Sequence, residues 1–467
     1  MRAAIPMPKS SCLPITWQRS AEEETIMIDR RNFIKWAGVS GIAFSSAGWS
    51  LLAHADTKTA SSTTTATAAV PTNTGIKGRV VVIGGGMGGA TVAKYLRLWG
   101  GTGVDVTLIE RDSAYTSNIM SNLVLNGSRT IGSLQYGYGN LSSRYGVKVV
   151  KGEVLTIDPV GRKVALAGGA SYAYDRLVIA PGVDFDILPG LETAAAQAKV
   201  PHAWKAGAQT TALHNMITAM PNGGVFVMSI PAKPYRCPPG PYERACIVAD
   251  WLKTNRPGSK VIVLDANPGI TAEVNAFTDA FNVVHAGVIE YHPGVSIASV
   301  DATTMTVNTS IGNIRGNVLN LIPPHRASKV ISANGLTNTA DGRWTAVNVL
   351  SYESTTAPGI HVVGDASATT QPKAGHIANQ EAKVCADAIL RLLSGRAPDP
   401  SPHTNSACYS PITATTASWL TANFRYDATT ATMVPVPASS GEAAARSSKN
   451  FEEMGKWFTA LMGDTFA

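Results

Sequence analysis

Short apolar runs separated by helix-period stretches recur along most of this chain. Val80–Ile83 is continuously apolar, as a strand buried on both faces must be, and a glycine-rich break follows it. A helical pattern beginning near Met87 and strongest over Ala90–Leu98 leads to a second strand, Val104–Ile109, which ends in Glu110. Arg176–Ala180 repeats the buried-strand signal and closes on Pro181-Gly182, and Ile360–Val363 repeats it again and closes on Gly364-Asp365 ahead of a helix over His376–Leu393. Between these two lie Gly224–Ile230, a helix-like stretch Tyr242–Lys253 and Lys260–Leu264, a second strand–helix–strand unit. Strands alternating with helices predict an α/β fold with parallel sheets, here two Rossmann-like dinucleotide-binding domains, the first interrupted by the second.

The glycine-rich break carries chemistry. Gly84, Gly86 and Gly89 form G-x-G-x-x-G between strand and helix, and Glu110 follows 26 residues after Gly84. Gly84 allows the tight turn, Gly86 lets backbone approach a pyrophosphate, and Gly89 brings the helix close to its strand. The helix N-terminus offers free N–H groups to the phosphates, and Glu110 suits a ribose diol.

Upstream, Arg30-Arg31-Asn32-Phe33-Ile34-Lys35, the moderately apolar Trp36–Leu52 and Ala53-His54-Ala55 read as a twin-arginine export signal with a cleavage site, placing the mature protein in the periplasm. Glycines and serines interrupt the run, which argues against a retained anchor, and Met27 is a second candidate start. Residues 56–75 are a Thr/Ser/Ala-rich tether. The expected order is then signal 1–55, linker 56–75, first dinucleotide domain 76–189 and 315–398, second domain 190–314, and a small C-terminal domain 399–467. Net charge is +7, falling to about +5 without the signal, with no Lys/Arg run, so nucleic acid is an unsuitable partner. Nothing beyond the signal is long and apolar enough to span a bilayer, and the histidines lack metal-ligand spacing.

Longer motifs narrow the picture. Tyr235-Arg236-Cys237-Pro238-Pro239-Gly240-Pro241-Tyr242-Glu243-Arg244, Asn320-Leu321-Ile322-Pro323-Pro324-His325-Arg326-Ala327, Gly335-Leu336-Thr337-Asn338 and the tail Gly463-Asp464-Thr465-Phe466 resemble the flavoprotein subunit of flavocytochrome c sulfide dehydrogenase. The resemblance covers essentially residues 76–467 and implies a glutathione reductase-like FAD/NAD(P) fold. It also implies FAD as cofactor, sulfide or another small inorganic sulfur compound as substrate, and a c-type cytochrome subunit as electron acceptor. No CxxCH occurs, so the haem would reside on that partner. By the same resemblance Asp365 meets the ribityl chain, Lys373 neighbours the flavin, and Arg111, Asn118, Asn122, Val154, Ala180, Gly182, Gly364 and Gly375 complete the cofactor contacts.

Two departures from the family stand out. Asn118 occupies the position of the cysteine that holds FAD covalently in relatives, so FAD is expected to be noncovalent. Cys237 matches one half of the family's redox disulfide, but the other half falls near Trp344-Thr345, and no cysteine lies between Cys246 and Cys385. The turn after Ile230 is stiff with proline and lacks G-x-G-x-x-G, so a nicotinamide site is not expected.

Cys237, beside Arg236 and ahead of a helix, is the candidate nucleophile, with a stabilised thiolate expected. Glu243 is the candidate proton shuttle if burial raises its pKa. A flavoprotein oxidising a persulfide or thiol, and a noncatalytic flavin electron carrier, are the competing readings.

Overall fold

The structure is a computed structural model that describes residues 69–467. The expected export signal and the tether up to residue 68 lie outside the described residues.

Strand β1 (Gly78–Ile83) leads through the glycine turn into helix α1 (Met87–Gly100), then β2 (Val104–Glu110). β1 lies between β2 and β4 (Arg176–Ile179), parallel to both, and β3 (Lys148–Lys151) extends the sheet beyond β2. On the far side, Ile360–Val362 pairs in parallel with β4, so a segment distant in sequence joins the sheet, which continues through Glu353–Ser354, Thr345–Asn348 and Ser367–Ala368. The last four residues of β1 are all buried, which explains why its pattern is continuous rather than alternating.

The second sheet has the parallel order β7 (Ile289–Pro293), β6 (Lys260–Asp265), β5 (Val225–Ile230) and β8 (Val318–Leu321), with helix α2 (Gly240–Asn255) between β5 and β6. β8 corrects the expected boundary at residue 315. Its apolar side chains are buried against β5, so residues 318–321 belong to the inserted domain. The return to the first domain runs along a two-stranded ribbon, Val183–Phe185 against His325–Ala327.

Helix α3 (Gly375–Leu393) packs beside α1, close enough that a Cβ on Gly100 would stand 2.5 Å from Leu390 Cδ2. The chain then forms an antiparallel sheet whose main strands are β9 (His403–Pro411) and β10 (Ala417–Asp427), and ends in helix α4 (Ser448–Phe466). The tail is clamped onto the first domain. Asp464 pairs with Lys383 at 2.9 Å and accepts from Asn379 at 2.8 Å, while Lys94 donates to the carbonyls of Asp464 and Ala467. Among the described residues no helix is long and apolar enough to cross a membrane.

Candidate functional site

A cavity of about 900 Å³ runs from the glycine turn after β1 to the first turns of α2 and α3. Gly86–Gly88 of α1 and Ala374–His376 of α3 both line it, and neither helix has a side-chain cap. Two helix N-termini therefore aim unsatisfied N–H groups and partial positive charge into one space.

The glycine turn is built by close approach. A Cβ on Gly84, whose φ is +95°, would lie 2.4 Å from the Ala180 carbonyl oxygen, and one on Gly89 would lie 1.8 Å from the Gly84 oxygen. Gly86 has room, its nearest neighbour being Tyr115 at 3.7 Å, so no contact within the protein demands glycine there, whereas close approach of a pyrophosphate would. Glu110 accepts from Gly85 N at 2.6 Å and from Asp112 N at 3.0 Å, which fixes its carboxylate at the cavity edge. Asp365 lines the cavity with a buried Oδ1 that has no partner. Burial pushes its carboxyl up, against the pull of Arg236 and Lys373. Phe466 stacks on Tyr115 and Tyr136 at 5.2 and 5.5 Å, bringing the tail to this wall.

The opposite end holds the reactive groups. Cys237 has φ +60°, a left-handed conformation that costs a non-glycine residue on the order of 1 kcal/mol and signals a functional constraint. Its N–H donates to the Lys373 carbonyl at 2.7 Å and its carbonyl accepts from Gly240 N at 3.0 Å, tying the cysteine between α3 and α2. Glu243 sits in the first turn of α2, buried, with Oε1 accepting from Asn122 Nδ2 at 2.9 Å. The helix dipole favours its anion, yet burial wins and raises its pKa to about 8. Arg244, fully buried, donates to Asn122, His202, Ala203 and Asn320 and lies 4.6 Å from the Trp204 ring.

Of the residues singled out in the sequence, Gly84, Gly86, Glu110, Arg111, Asn118, Asn122, Val154, Ala180, Gly182, Cys237, Glu243, Gly364, Asp365 and Gly375 line this one cavity. Gly89 lies behind it, in the helix–strand contact. Lys373 is a correction. It does not line the cavity, because its ammonium donates to the Asp365 and Ser367 carbonyls and sits 3.8 Å from the Trp344 ring. The expected Cys237 thiolate is a second correction. Burial, then Cys408 and Glu243, push the thiol well above its ordinary value, and Arg236 only partly opposes them. The Arg236 guanidinium is engaged by the Trp204 carbonyl. Asn118 accepts from Ala206 N at 2.8 Å, and Asn122 spends its amide on α2, donating to Gly240 O and Glu243 and accepting from Arg244.

Sequence reasoning missed Trp204 and Cys408 as cavity residues and Glu381 as the carboxylate that holds the Gly364 turn, accepting from Gly364 N at 2.7 Å. Trp204 and Glu381 belong to no motif, and Cys408-Tyr409-Ser410 carries the family resemblance without a site role attached to it.

In the second domain, tyrosines occupy the cofactor-side end of the strands. Asp265, at the end of β6 where a dinucleotide domain presents its ribose carboxylate, accepts from Tyr242 and Tyr291, each at 2.8 Å. Tyr242 packs on Phe277 and Phe281, and the Pro231 carbonyl is taken by Asn267. Among the described residues no His, Cys, Asp and Glu cluster could hold a metal ion.

Three family models match in succession. Residues 78–215 match the pyridine nucleotide-disulphide oxidoreductase domain, 210–323 the central domain of the sulfide dehydrogenase [flavocytochrome c] flavoprotein chain, and 400–466 the flavocytochrome c sulphide dehydrogenase flavin-binding domain. Ferroptosis suppressor protein 1 of Taeniopygia guttata is 31% identical over 106 residues, which is 23% of this chain and 27% of that protein, so the match spans about a quarter of the relative. The sulfide:quinone oxidoreductase of Aquifex aeolicus has the same fold at 17% identity, with a TM-score of 0.67 over 83% of this chain and 91% of the other. An NAD-dependent persulfide reductase from A. fulgidus superposes with a TM-score of 0.56 at 15% identity, over 83% and 77% of the two chains. These matches make the chain an FAD-dependent oxidoreductase of α/β, two-dinucleotide-domain fold. The cavity suits FAD. Its paired helix N-termini and close-packed glycine turn suit a pyrophosphate, and the unpartnered Asp365 oxygen suits a ribityl hydroxyl.

Proposed function

We propose, from the premise that by its central and flavin-binding domains this chain belongs with the flavoprotein chains of flavocytochrome c sulfide dehydrogenase, that it oxidises sulfide to zero-valent sulfur and delivers the electrons to a c-type cytochrome. The observation that carries the reading is the strained Cys237 turn, fixed to the α3 N-terminus beside a buried carboxyl whose pKa is about 8. FAD supplies a two-electron acceptor that can release electrons singly.

This chain's own residues supply the rest. Cys237 rests as a thiol, because burial disfavours its anion. Forming a nucleophile therefore requires a proton acceptor. Glu243 is suited to that task, since a carboxylate with a pKa near 8 matches a thiol far better than an ordinary one near 4.3 would. Asn122 fixes the Glu243 oxygen, and the buried cation Arg244 fixes Asn122. Burial thus holds both groups mainly protonated, and the ionised fraction of Glu243 is the acceptor for the thiol proton.

Export by the twin-arginine signal and noncovalent retention of FAD are parts of the same proposal. Anaerobic mixing of FAD-loaded protein with sulfide tests it, with the oxidised-flavin absorbance as readout. Bleaching in the wild type that is lost in Cys237→Ser is the expected result. An unbleached flavin with sulfide in excess overturns the assignment of sulfide as donor. If a periplasmic pull-down recovers no c-type cytochrome, the proposed acceptor falls.

A further inference from the structure

The position that should carry the second half of the family's redox disulfide is closed to sulfur chemistry in this fold. Trp344 and Thr345 are buried, the Thr345 hydroxyl donates to the Leu336 carbonyl at 2.9 Å, the Trp344 ring carries the Lys373 ammonium, and neither residue lines the cavity. Another cysteine does line it. Cys408, on β9, is one of only two described cysteines in the cavity wall, and Cys237 is the other. Both are pinned to the same short segment at the start of α3. The Cys237 N–H donates to Lys373 O at 2.7 Å, and Ala407 N, one residue before Cys408, donates to His376 Nδ1 at 2.9 Å. Cys408 also raises the Cys237 thiol further, after burial. The remaining two, Cys246 and Cys385, are wholly buried inside helices α2 and α3.

We infer that Cys408 is the catalytic redox partner of Cys237, a relocated second half of the dithiol supplied by the C-terminal domain. The inference rests on the sulfide-oxidising reading. On closure each thiol loses a proton and one S–S bond forms between Cys237 and Cys408, releasing an electron pair that FAD, when bound, would accept. Hydrosulfide then attacks the Cys237 sulfur; the S–S bond breaks toward Cys408, whose thiolate takes up a proton, and Cys237 is left as a persulfide. A second hydrosulfide attacks the outer sulfur of that persulfide, releasing hydrogen disulfide and the Cys237 thiolate, which is reprotonated. Two hydrosulfides have then been joined at the expense of one electron pair. The Cys408 thiol, pushed up to about 12 by burial and by Glu273, is a poor leaving group as an anion, so proton delivery to it is part of the step. The neighbouring acids are Glu243 and Glu273, the latter raised to about 7 and bonded to Ser410 at 2.6 Å.

Thiol mapping of the FAD-loaded, air-oxidised wild type tests the pair without sulfide. Denaturing alkylation should label Cys246 and Cys385, and leave the Cys237 and Cys408 peptides joined by a bond that a reductant opens. Free thiols at both positions, or Cys237 joined to Cys246, overturn the inference. Anaerobic reductive titration gives a second reading. The wild type should take up one electron pair for the flavin and another for the disulfide, whereas Cys408→Ser, with its flavin spectrum retained, should take up only the first. Equal uptake by both proteins overturns the inference. A mapped disulfide in a protein whose flavin sulfide does not bleach leaves the pair standing and removes only sulfide as donor. Bleaching without a disulfide does the reverse.

Discussion

Replacing Glu243 by Gln tests the electrostatics of the site by a route independent of turnover. The glutamine keeps the side-chain shape and an oxygen able to accept from Asn122, but it cannot ionise. In the wild type, burial raises this carboxyl from 4.5 to about 8. The folded state therefore holds the proton after the unfolded state has released it. Stability is undiminished below the unfolded pKa and falls as pH rises toward the folded one. At 1.36 kcal/mol per unit, this single group costs the wild type less than ~1 kcal/mol at about pH 5 and about 4–5 kcal/mol at about pH 8.5. Glu273 and Glu381 are raised too, to about 7 and about 8, and bring a similar slope, but they remain in both proteins and cancel in the difference. Denaturant unfolding of both FAD-loaded proteins at the two pH values should thus show Glu243→Gln gaining about 4 kcal/mol on the wild type between them. A gap that does not change with pH would refute the claim that Glu243 is a protonated acid in a desolvated wall.

Cys237→Ser should retain FAD and lower the rate of sulfide-dependent flavin reduction at least ~100-fold, about 2.7 kcal/mol of barrier; an unchanged stopped-flow rate would remove the thiol from the reaction. Gly86→Ala and Gly89→Ala should separate ligand from fold: the first has room in the protein and should fold while binding FAD weakly, whereas the second collides with the Gly84 carbonyl and should lose about 1–3 kcal/mol or more in thermal unfolding. Equal behaviour of the two would refute the distinction. Asp365→Asn should weaken FAD retention by about 1–3 kcal/mol in dialysis against low flavin if the unpartnered oxygen serves a ribityl hydroxyl, and should leave retention unchanged if it does not. Acid precipitation should release FAD into the supernatant, since Asn118 stands where a covalent link would need a thiol; flavin left in the pellet would place the linkage elsewhere.

What could be read in the sequence was what short-range geometry decides. The fingerprint from Gly84 to Glu110 is legible because turn, helix start and strand end are consecutive, and continuous apolar runs report burial on both faces. The expected break at residue 315 was not, because β8 is four residues long and its choice of sheet depends on pairing with β5, almost a hundred residues earlier.

The site failed to show itself where a residue's neighbour was supplied by another element. Arg236 beside Cys237 argues for a thiolate when only the local chain is considered. In the fold the guanidinium is engaged by the Trp204 carbonyl, and Cys237 sits in a cavity wall where desolvation outweighs the adjacent cation. Lys373 precedes α3 as a flavin neighbour should, yet backbone carbonyls of its own turn and the Trp344 ring capture its charge. That capture also fills the ground a second cysteine would have occupied. Trp344 and Lys373 thus hold one another beside the position that the family resemblance gives to a second cysteine. A lysine released from Trp344 would regain the freedom to face the cavity. Trp344→Ala should then add a cation to the cofactor wall and raise the flavin's reduction potential, while a potential unchanged from the wild type would show that the two carbonyls alone hold Lys373 away.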